Sequence, residues 1–530
     1  MLHRDAPFGL ARYRGLVEPL RDPEPRKHTA PGPVSRHTKA PSAASQTHGG
    51  LLPEDIMVII IAYSSVADVL VVRRCSKWLK YLTEDRHIWL AFLLQPTFPV
   101  PECISRVEVM SSQELESQVR RQFELSRRWS PKAQPETPVR PLSLRTLQMP
   151  NNEFLTAMAS MDSWVAVASD LGGVYVCAPF GENNKMGLTW IRVLSFAGEI
   201  NKLGVDVSNG RVSVMWAGSV REDGALSYRC GVVSALVEDL VSAQSHIPGG
   251  LLLNSSGFVA ATTLDLRNPA SEIMDIAIGE RYCAVVDAAH VFQVFIYPPL
   301  ASDTPSRSEF EGPHRSSRKT ISLQFLPYDQ LLVISDSFIA VYKPVTSLST
   351  TMERKYWTHV PTETFFGLLT QRRSSNITTL GHMRIPILAF GSTGTEITHY
   401  DLRVPSSEPE GSEPDDYGLT HRRSFSYLLS PSLGVFSMGT INGGGYRMAW
   451  ITTGISRLLC GIAFGRASLG NYDPSKSYQA PLDRFLLDLG EYGDLVKMHS
   501  PSGPLFAFHE GEGMLLGGVR RGCELIMLQY

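Results

Sequence analysis

Two periods of hydrophobic positions divide this chain. Over residues 52–93 apolar side chains return at steps of three and four, which predicts helices. Leu52, Ile56, Ile59, Ile60 and Tyr63 fall on one helical face. Pro53 suits a first turn, where its missing N–H costs nothing, and Glu54 and Asp55 favour the positive end of the helix dipole. Ser65-Val-Ala-Asp68 has the spacing of a capping box with Asp in place of Glu, and it opens a second run of Val69, Leu70, Val72, Cys75 and Leu79. Thr83 reads as a further N-cap before Glu84, Asp85, Ile88, Trp89, Phe92 and Leu93. Three short helices in roughly forty residues make a poor core alone. So many large apolar groups in so small a unit are expected to bury some of their number against a partner. A second capping box, Ser111-Ser-Gln-Glu114, predicts one more helix over 111–129, with Leu115, Val119, Phe123 and Trp129 as its stripe. Pro131, Pro135, Pro138 and Pro141 then give an extended connector.

From about residue 145 the period becomes strand-like. Runs of apolar residues pair across small or polar turns at 164–176, 212–233, 283–296, 331–342, 387–400, 435–451 and 514–528. Each reads as a β-hairpin. Their starts are separated by 48, 71, 48, 56, 48 and 79 residues, as expected of repeated units with insertions of varying length. Four-stranded units repeated radially make a β-propeller, here of about seven blades. Unrelated hairpins in a sandwich or in several small β domains are the alternative. Segments 304–319 (Ser/Arg/Glu-rich) and 405–417 (Ser/Pro/acidic) read as solvated insertions.

The resulting organisation is α+β and multidomain. A disordered Pro/Arg/Ser-rich tail occupies 1–50, a helical unit 51–95, a helical linker and connector 96–143, and a large β domain 144–530. The tail carries eight Lys/Arg against four Asp/Glu, a mild excess that reads as solvated.

Composition narrows the function. The net charge of −2 gives no field that would draw the whole molecule to nucleic acid or to an anionic membrane. The longest apolar run near the N-terminus, Met57 to Ala62, is too short to span a bilayer, and no signal peptide is visible. The sequons at Asn254 and Asn376 therefore read as chance. Cys75, Cys103, Cys177, Cys230, Cys283, Cys460 and Cys523 are scattered, which argues for a reducing compartment, cytoplasm or nucleus, and against a disulfide framework or a zinc site. The histidines show no metal spacing. Asp170, Asp287 and Asp336 sit where turns are expected and read as turn formers rather than acid/base groups. Asn442-Gly-Gly-Gly445 lacks the Lys and Ser/Thr of a phosphate loop, and residues 511–518 lack the strand–loop–helix setting of a nucleotide site. No catalytic residue, metal or cofactor is assigned.

One string carries a resemblance. Leu52-Pro53, Asp55-Ile56, Ile59-Ile60, Tyr63, Asp68-Val69-Leu70, Cys75-Ser76-Lys77-Trp78, then Asp85 and Trp89, resembles the F-box motif in order and spacing. Ser64-Ser65-Val66-Ala67 departs from it, standing where the family often has Leu and one or two Pro. The resemblance covers about 42 of the 530 residues. It implies docking on a Skp-type adaptor and, through that, on a cullin scaffold. The implied adaptor-binding or framework residues are Leu52, Pro53, Asp55, Ile56, Ile59, Ile60, Tyr63, Val69, Leu70, Cys75, Ser76 and Trp89. The helix at 111–129 followed by a β domain is also similar to a group of fungal F-box proteins, which implies domain order but no substrate. The expected function is a non-catalytic substrate-recognition subunit of an SCF-type (Skp–cullin–F-box) ubiquitin ligase, its β domain binding a protein. Two alternatives are a ligand-binding or hydrolytic propeller tethered to an F-box, and an F-box scaffold outside ubiquitination. Arg221, Arg447, Arg520 and Arg521 lie at or beside turns. Solvation is their plainer role; an acidic or phosphorylated degron is what they would otherwise meet.

Overall fold

Among the described residues, the helices of 52–93 number four rather than three. They are α1 (Glu54–Ala62), α2 (Val66–Cys75), α3 (Lys77–Leu82) and α4 (Arg86–Leu93) in a computed structural model. It describes residues 52–93, 110–128, 140–161, 164–178, 190–245, 253–254, 260–297, 307–311, 322–335, 338–345, 349–360, 364–368, 382–391, 396–405, 417–426, 447–451, 458–463, 483–489, 492, 504–509 and 514–530. The extra helix arises at Ser76, whose extended backbone (φ −157°, ψ 159°) ends α2. Its hydroxyl then accepts the Leu79 N–H at 3.0 Å and caps α3. The Ser65–Asp68 capping box forms as expected. Thr83 does not act as an N-cap: it closes α3, donating its hydroxyl to the Lys80 carbonyl at 2.7 Å. The cap of α4 falls instead to Asp85, whose carboxylate accepts the His87 N–H at 2.7 Å.

Helix α5 (Ser112–Arg128) completes this region. Ser111 and Glu114 exchange side-chain-to-backbone hydrogen bonds, with the Ser111 N–H reaching the carboxylate at 2.6 Å. These bonds hold the Glu114 carboxyl below its usual range. Leu115 and Val119 are fully buried with Ile61, Val66, Val69, Leu82, Ile88, Trp89, Phe92 and Leu93. Arg73 of α2 pairs with Glu116 of α5, and the Arg86 Nε donates to the Met110 carbonyl at 3.1 Å. The linker helix is therefore part of the helical core; without it the four short helices would leave that core open. Trp129 lies outside the described residues.

From Ser143 onward the described residues form seven antiparallel sheets, one of them with an added parallel strand. Six of the seven expected hairpins are observed, each as the central pair of its sheet. They are β3 (Trp164–Ser169) with β4 (Gly173–Cys177), and β7 (Arg211–Glu222) with β8 (Ala225–Leu236). Next come β12 (Tyr282–Asp287) with β13 (Val291–Ile296), and β16 (Gln330–Ile334) with β17 (Phe338–Pro344). The last two are β20 (His382–Gly391) with β21 (Glu396–Pro405), and β27 (Met514–Val519) with β28 (Glu524–Gln529). The hairpin expected at 435–451 falls mostly outside the described residues. Its last strand, β23 (Arg447–Ile451), pairs forward with β24 (Leu458–Ala463).

Turn chemistry fixes several of these registers. Asp223-Gly224 (φ 51° and 83°) joins β7 to β8. Asn209-Gly210 (φ 51° and 69°) joins β6 (Glu199–Ser208) to β7. Both are two-residue turns needing positive φ twice, a conformation Asn, Asp and Gly tolerate. Asp170 and Asp287 also serve turns: Asp287 Oδ1 accepts the N–H groups of Ala289 and Val291, both at 2.9 Å. Asp336 lies outside the described residues.

Two expected insertions are partly structured. Arg307–Glu311 of segment 304–319 is an outer strand, β14, paired with β13. Tyr417, at the end of segment 405–417, is buried and donates its hydroxyl to Gln330 at 3.2 Å.

Side-chain alternation shows how the sheets pack. Along β3, Val165 and Val167 lie with Leu516, Leu525 and Met527 of the last sheet, while Ala166 and Ala168 lie with Val212, Val214 and Trp216 of the next one. Along β12, Cys283 and Val285 meet Met215 and Val232, while Tyr282, Ala284 and Val286 meet Leu331 and Val333. Along β16, Leu332 and Ile334 turn the other way to Ile385, Ile387 and Leu402. These three central strands are thus buried on both faces between sheets, so each reads as a continuous apolar run instead of an alternating one. Finally β1 (Ser143–Gln148) pairs along its length with β28, Ser143 opposite Gln529. The last sheet along the chain is thus completed by the first described strand.

Candidate functional site

Helix α1 has the sequence EDIMVIIIA and two apolar faces. Ile61 is buried, and Met57, Val58 and Ala62 pack beside it on the helical core. Ile56, Ile59, Ile60 and Tyr63 form the other face, at spacings of three, four and seven, and are 42, 42, 45 and 59% exposed. They share one side of a helix. The periodicity read from the sequence is therefore real, but it marks the outward face. Large apolar groups at such exposure gain only part of the roughly 1.5–3 kcal/mol that full burial of each would provide. A partner groove would recover the rest.

The other residues implied by the motif divide cleanly. Leu52 is 44% exposed, and Pro53, Asp55, Cys75 and Ser76 are also exposed. Val69 and Trp89 are fully buried, and Leu70 is half-buried. Trp89 donates its indole N–H to the Thr83 carbonyl at 2.8 Å and packs against Phe92. Val69 and Trp89 therefore build the scaffold, while the outward residues are free for contact. Two further exposed apolar residues, Val71 and Tyr81, were not singled out by periodicity. Each lies out of phase with the apolar stripe of its own helix, and that mismatch is the signal that marks them.

A polar cleft lies where α2, α5 and the turn after α3 meet, lined by Arg73, Glu84, Ser112, Glu116 and Arg120. Arg73 and Arg120 are both engaged by Glu116. The cleft holds charges that already satisfy one another, and it ties α5 to the rest of the helical core.

Among the described residues, no group of three or more His, Cys, Asp or Glu is placed to hold a metal ion. Cys75, Cys177, Cys230, Cys283 and Cys523 are free thiols, and burial pushes Cys177, Cys230 and Cys283 up from the usual thiol range. Raised buried thiols of this kind are packing groups, not nucleophiles. No described helix is long and apolar enough to cross a membrane.

No family model matches this chain. No curated protein matches it either. Three solved structures align over most of it. "YCF48 bound to D1 peptide" shares 9% identity over 73% of this chain and 97% of its own, with a TM-score of 0.36. "Crystal structure of RRP9 WD40 repeats" shares 10% over 73% of this chain and 98% of its own, at 0.38. A crystal structure of a protein from Lactobacillus plantarum shares 10% over 72% of this chain and 100% of its own, at 0.39.

Proposed function

We propose that this chain is the substrate-recognition subunit of an SCF-type ubiquitin ligase. In this reading the helical region is an F-box that docks on a Skp-type adaptor through Leu52, Pro53, Ile56, Ile59, Ile60 and Tyr63. The β domain is a seven-bladed propeller that holds a protein substrate. The observation that carries the reading is the second face of α1. The helical core is already closed by α5, so the outward isoleucines and Tyr63 do not serve it. An amphipathic face of this kind suits a helix-binding groove on another protein.

The chain contributes no chemistry of its own in this account. It raises the local concentration of substrate lysines near a ubiquitin-loaded enzyme. A cullin is reached only through the adaptor, and the working compartment is cytoplasm or nucleus. The experiment is recovery of adaptor and cullin by the full-length chain, compared with an Ile56→Ser/Ile60→Ser variant and a Leu52→Ala/Pro53→Ala variant. Wild type is expected to recover both proteins and the variants neither. Recovery of adaptor without cullin would support a scaffold role instead, and recovery of neither by wild type would remove the F-box reading.

A further inference from the structure

The turn between β27 and β28 lacks the Asp-Gly and Asn-Gly pairs that flank β7. Its residues are Arg520, Arg521, Gly522 and Cys523, and the Gly522 N–H closes it on the Val519 carbonyl at 2.8 Å. Arg521 has φ 66°, a left-handed backbone that glycine adopts freely and a residue with a Cβ does not. Non-glycine residues held this way concentrate where function has selected the side chain.

The turn is bound by its backbone to two neighbours. The Arg521 N–H donates to the Leu155 carbonyl at 2.6 Å, and the Leu155 N–H donates back to Gly522 at 2.8 Å. One residue earlier, the Phe154 N–H reaches Asp170 Oδ1 at 2.9 Å, and the Asp170 N–H returns to the Phe154 carbonyl at 2.9 Å. Residues 520–522, 154–155 and 170–171 therefore form one platform. It displays Phe154 at 48% exposure, Leu171 at 64%, and both arginines exposed.

The charge of this platform is not neutralised from within. Neither Arg520 nor Arg521 has an ion-pair partner among the described residues. The described carboxylates within or next to these segments carry other hydrogen bonds. Asp170 accepts from Phe154, buried Glu153 accepts the Tyr175 hydroxyl at 2.8 Å, and Glu524 accepts from Gln148 at 2.9 Å.

We propose that Phe154, Leu171, Arg520 and Arg521 form a docking surface for an extended acidic segment of the recruited protein, with an apolar side chain set between its anionic groups. The guanidinium forks suit carboxylate or phosphate oxygens, and Phe154 with Leu171 gives an apolar seat beside them. Two cations on a chain of net charge −2 lack the row of contacts by which a nucleic-acid backbone is followed. The proposal rests on the reading of the β domain as the protein-binding part, and names the chemistry of what it binds.

The test uses the full chain against a displayed library of random peptides, with a synthetic array carrying phosphoserine in parallel. Wild type is expected to enrich peptides in which Asp, Glu or phosphoserine flank Leu, Phe or Trp. The two arms separate carboxylate from phosphate recognition. Arg521→Gly is the decisive variant, because glycine fits the backbone there: its thermal midpoint should be unchanged or higher. Its affinity for the enriched peptides should fall on the order of tenfold. Phe154→Ser should weaken the same peptides. Enrichment without acidic bias, equal affinity in Arg521→Gly, or preferential binding of an oligothymidine probe would each overturn the proposal. Adaptor recovery by the wild-type chain is measured in parallel. Its absence while wild type still binds the acidic peptides would count against the ligase reading and leave this surface standing.

Discussion

Strand β3 and helix α1 are both predominantly apolar, yet they meet opposite fates. Every residue of β3 is buried, because each face of its sheet meets another sheet. Helix α1 buries Ile61 and leaves Ile56, Ile59 and Ile60 in water. Among the described residues, the β domain satisfies its apolar surface by repetition, one sheet covering another. The helical region has no repeat to stack on and closes its core with a single added helix. The lesson is that apolar density does not identify core. What matters is whether the fold supplies a cover for each face, and on α1 the chain supplies one for the inner face only.

The largest effect that sharpens this contrast is expected at Trp89. Removing its ring opens the helical core and leaves the Thr83 carbonyl without its donor. Trp89→Ala should destabilise the helical region by about 3–5 kcal/mol. Hydrogen exchange would then show lost protection over 54–128 with the β domain unchanged; intact protection would mean that the helices do not depend on this core.

The converse holds on the outer face of α1. Ile56→Ser/Ile60→Ser should leave stability within about 0.5 kcal/mol per site. The same double change should weaken adaptor binding by roughly 2–4 kcal/mol, as anchors of an interface do. A large fall in the melting temperature would show that these residues serve the fold after all.

Within the β domain a smaller cost is expected where β27 packs on Tyr492. A Cβ built at Gly517 would collide with the Tyr492 ring, whose hydroxyl donates to the Leu505 and Gly518 carbonyls. Gly517→Ala should cost about 1–3 kcal/mol by overpacking, read by denaturant unfolding. A neutral result would mean the ring yields freely.

The smallest effect depends on pH. Burial raises the Asp275 carboxyl above its usual range, against the pull of Lys202, while Asp275 Oδ2 accepts the Leu323 N–H at 2.8 Å. The fold then binds this proton more tightly than the unfolded chain does. Its contribution to stability is complete below the unfolded pKa and is lost as pH rises through the folded one. Asp275→Asn keeps an acceptor for Leu323, so it should raise the melting temperature at neutral pH. That gain should shrink on acidification; a gain that grows in acid would reverse the sign.

Much of the β domain was legible because its central strands are apolar runs and its turns carry recognisable chemistry. The outer strands were not. β18 (Met352–His359, MERKYWTH) pairs with β17 on one side only, and its polar sequence resembles a loop. β1 (Ser143–Gln148, SLRTLQ) is equally polar, and its partner β28 lies at the far end of the sequence. No local pattern announces a pairing of that range. In the helical region the motif positions were legible, but not their division into scaffold and contact. Val69 and Trp89 turn inward, and Ile56 and Ile60 turn outward, at spacings that satisfy one helical period equally well. Ser76 hid the fourth helix because one residue both ends α2 and caps α3. The φ of Arg521, on which the docking surface depends, has no sequence signal, since glycine is the residue that position favours.

The most direct test is a calorimetric titration of the full-length chain with a purified Skp-type adaptor, repeated with Ile56→Ser/Ile60→Ser. The account predicts a one-to-one complex for wild type, with a negative heat-capacity change from apolar burial, and a loss of affinity of at least about thirtyfold in the variant. No binding by wild type, or equal binding by both chains, would contradict it and leave the outward face of α1 to some other partner.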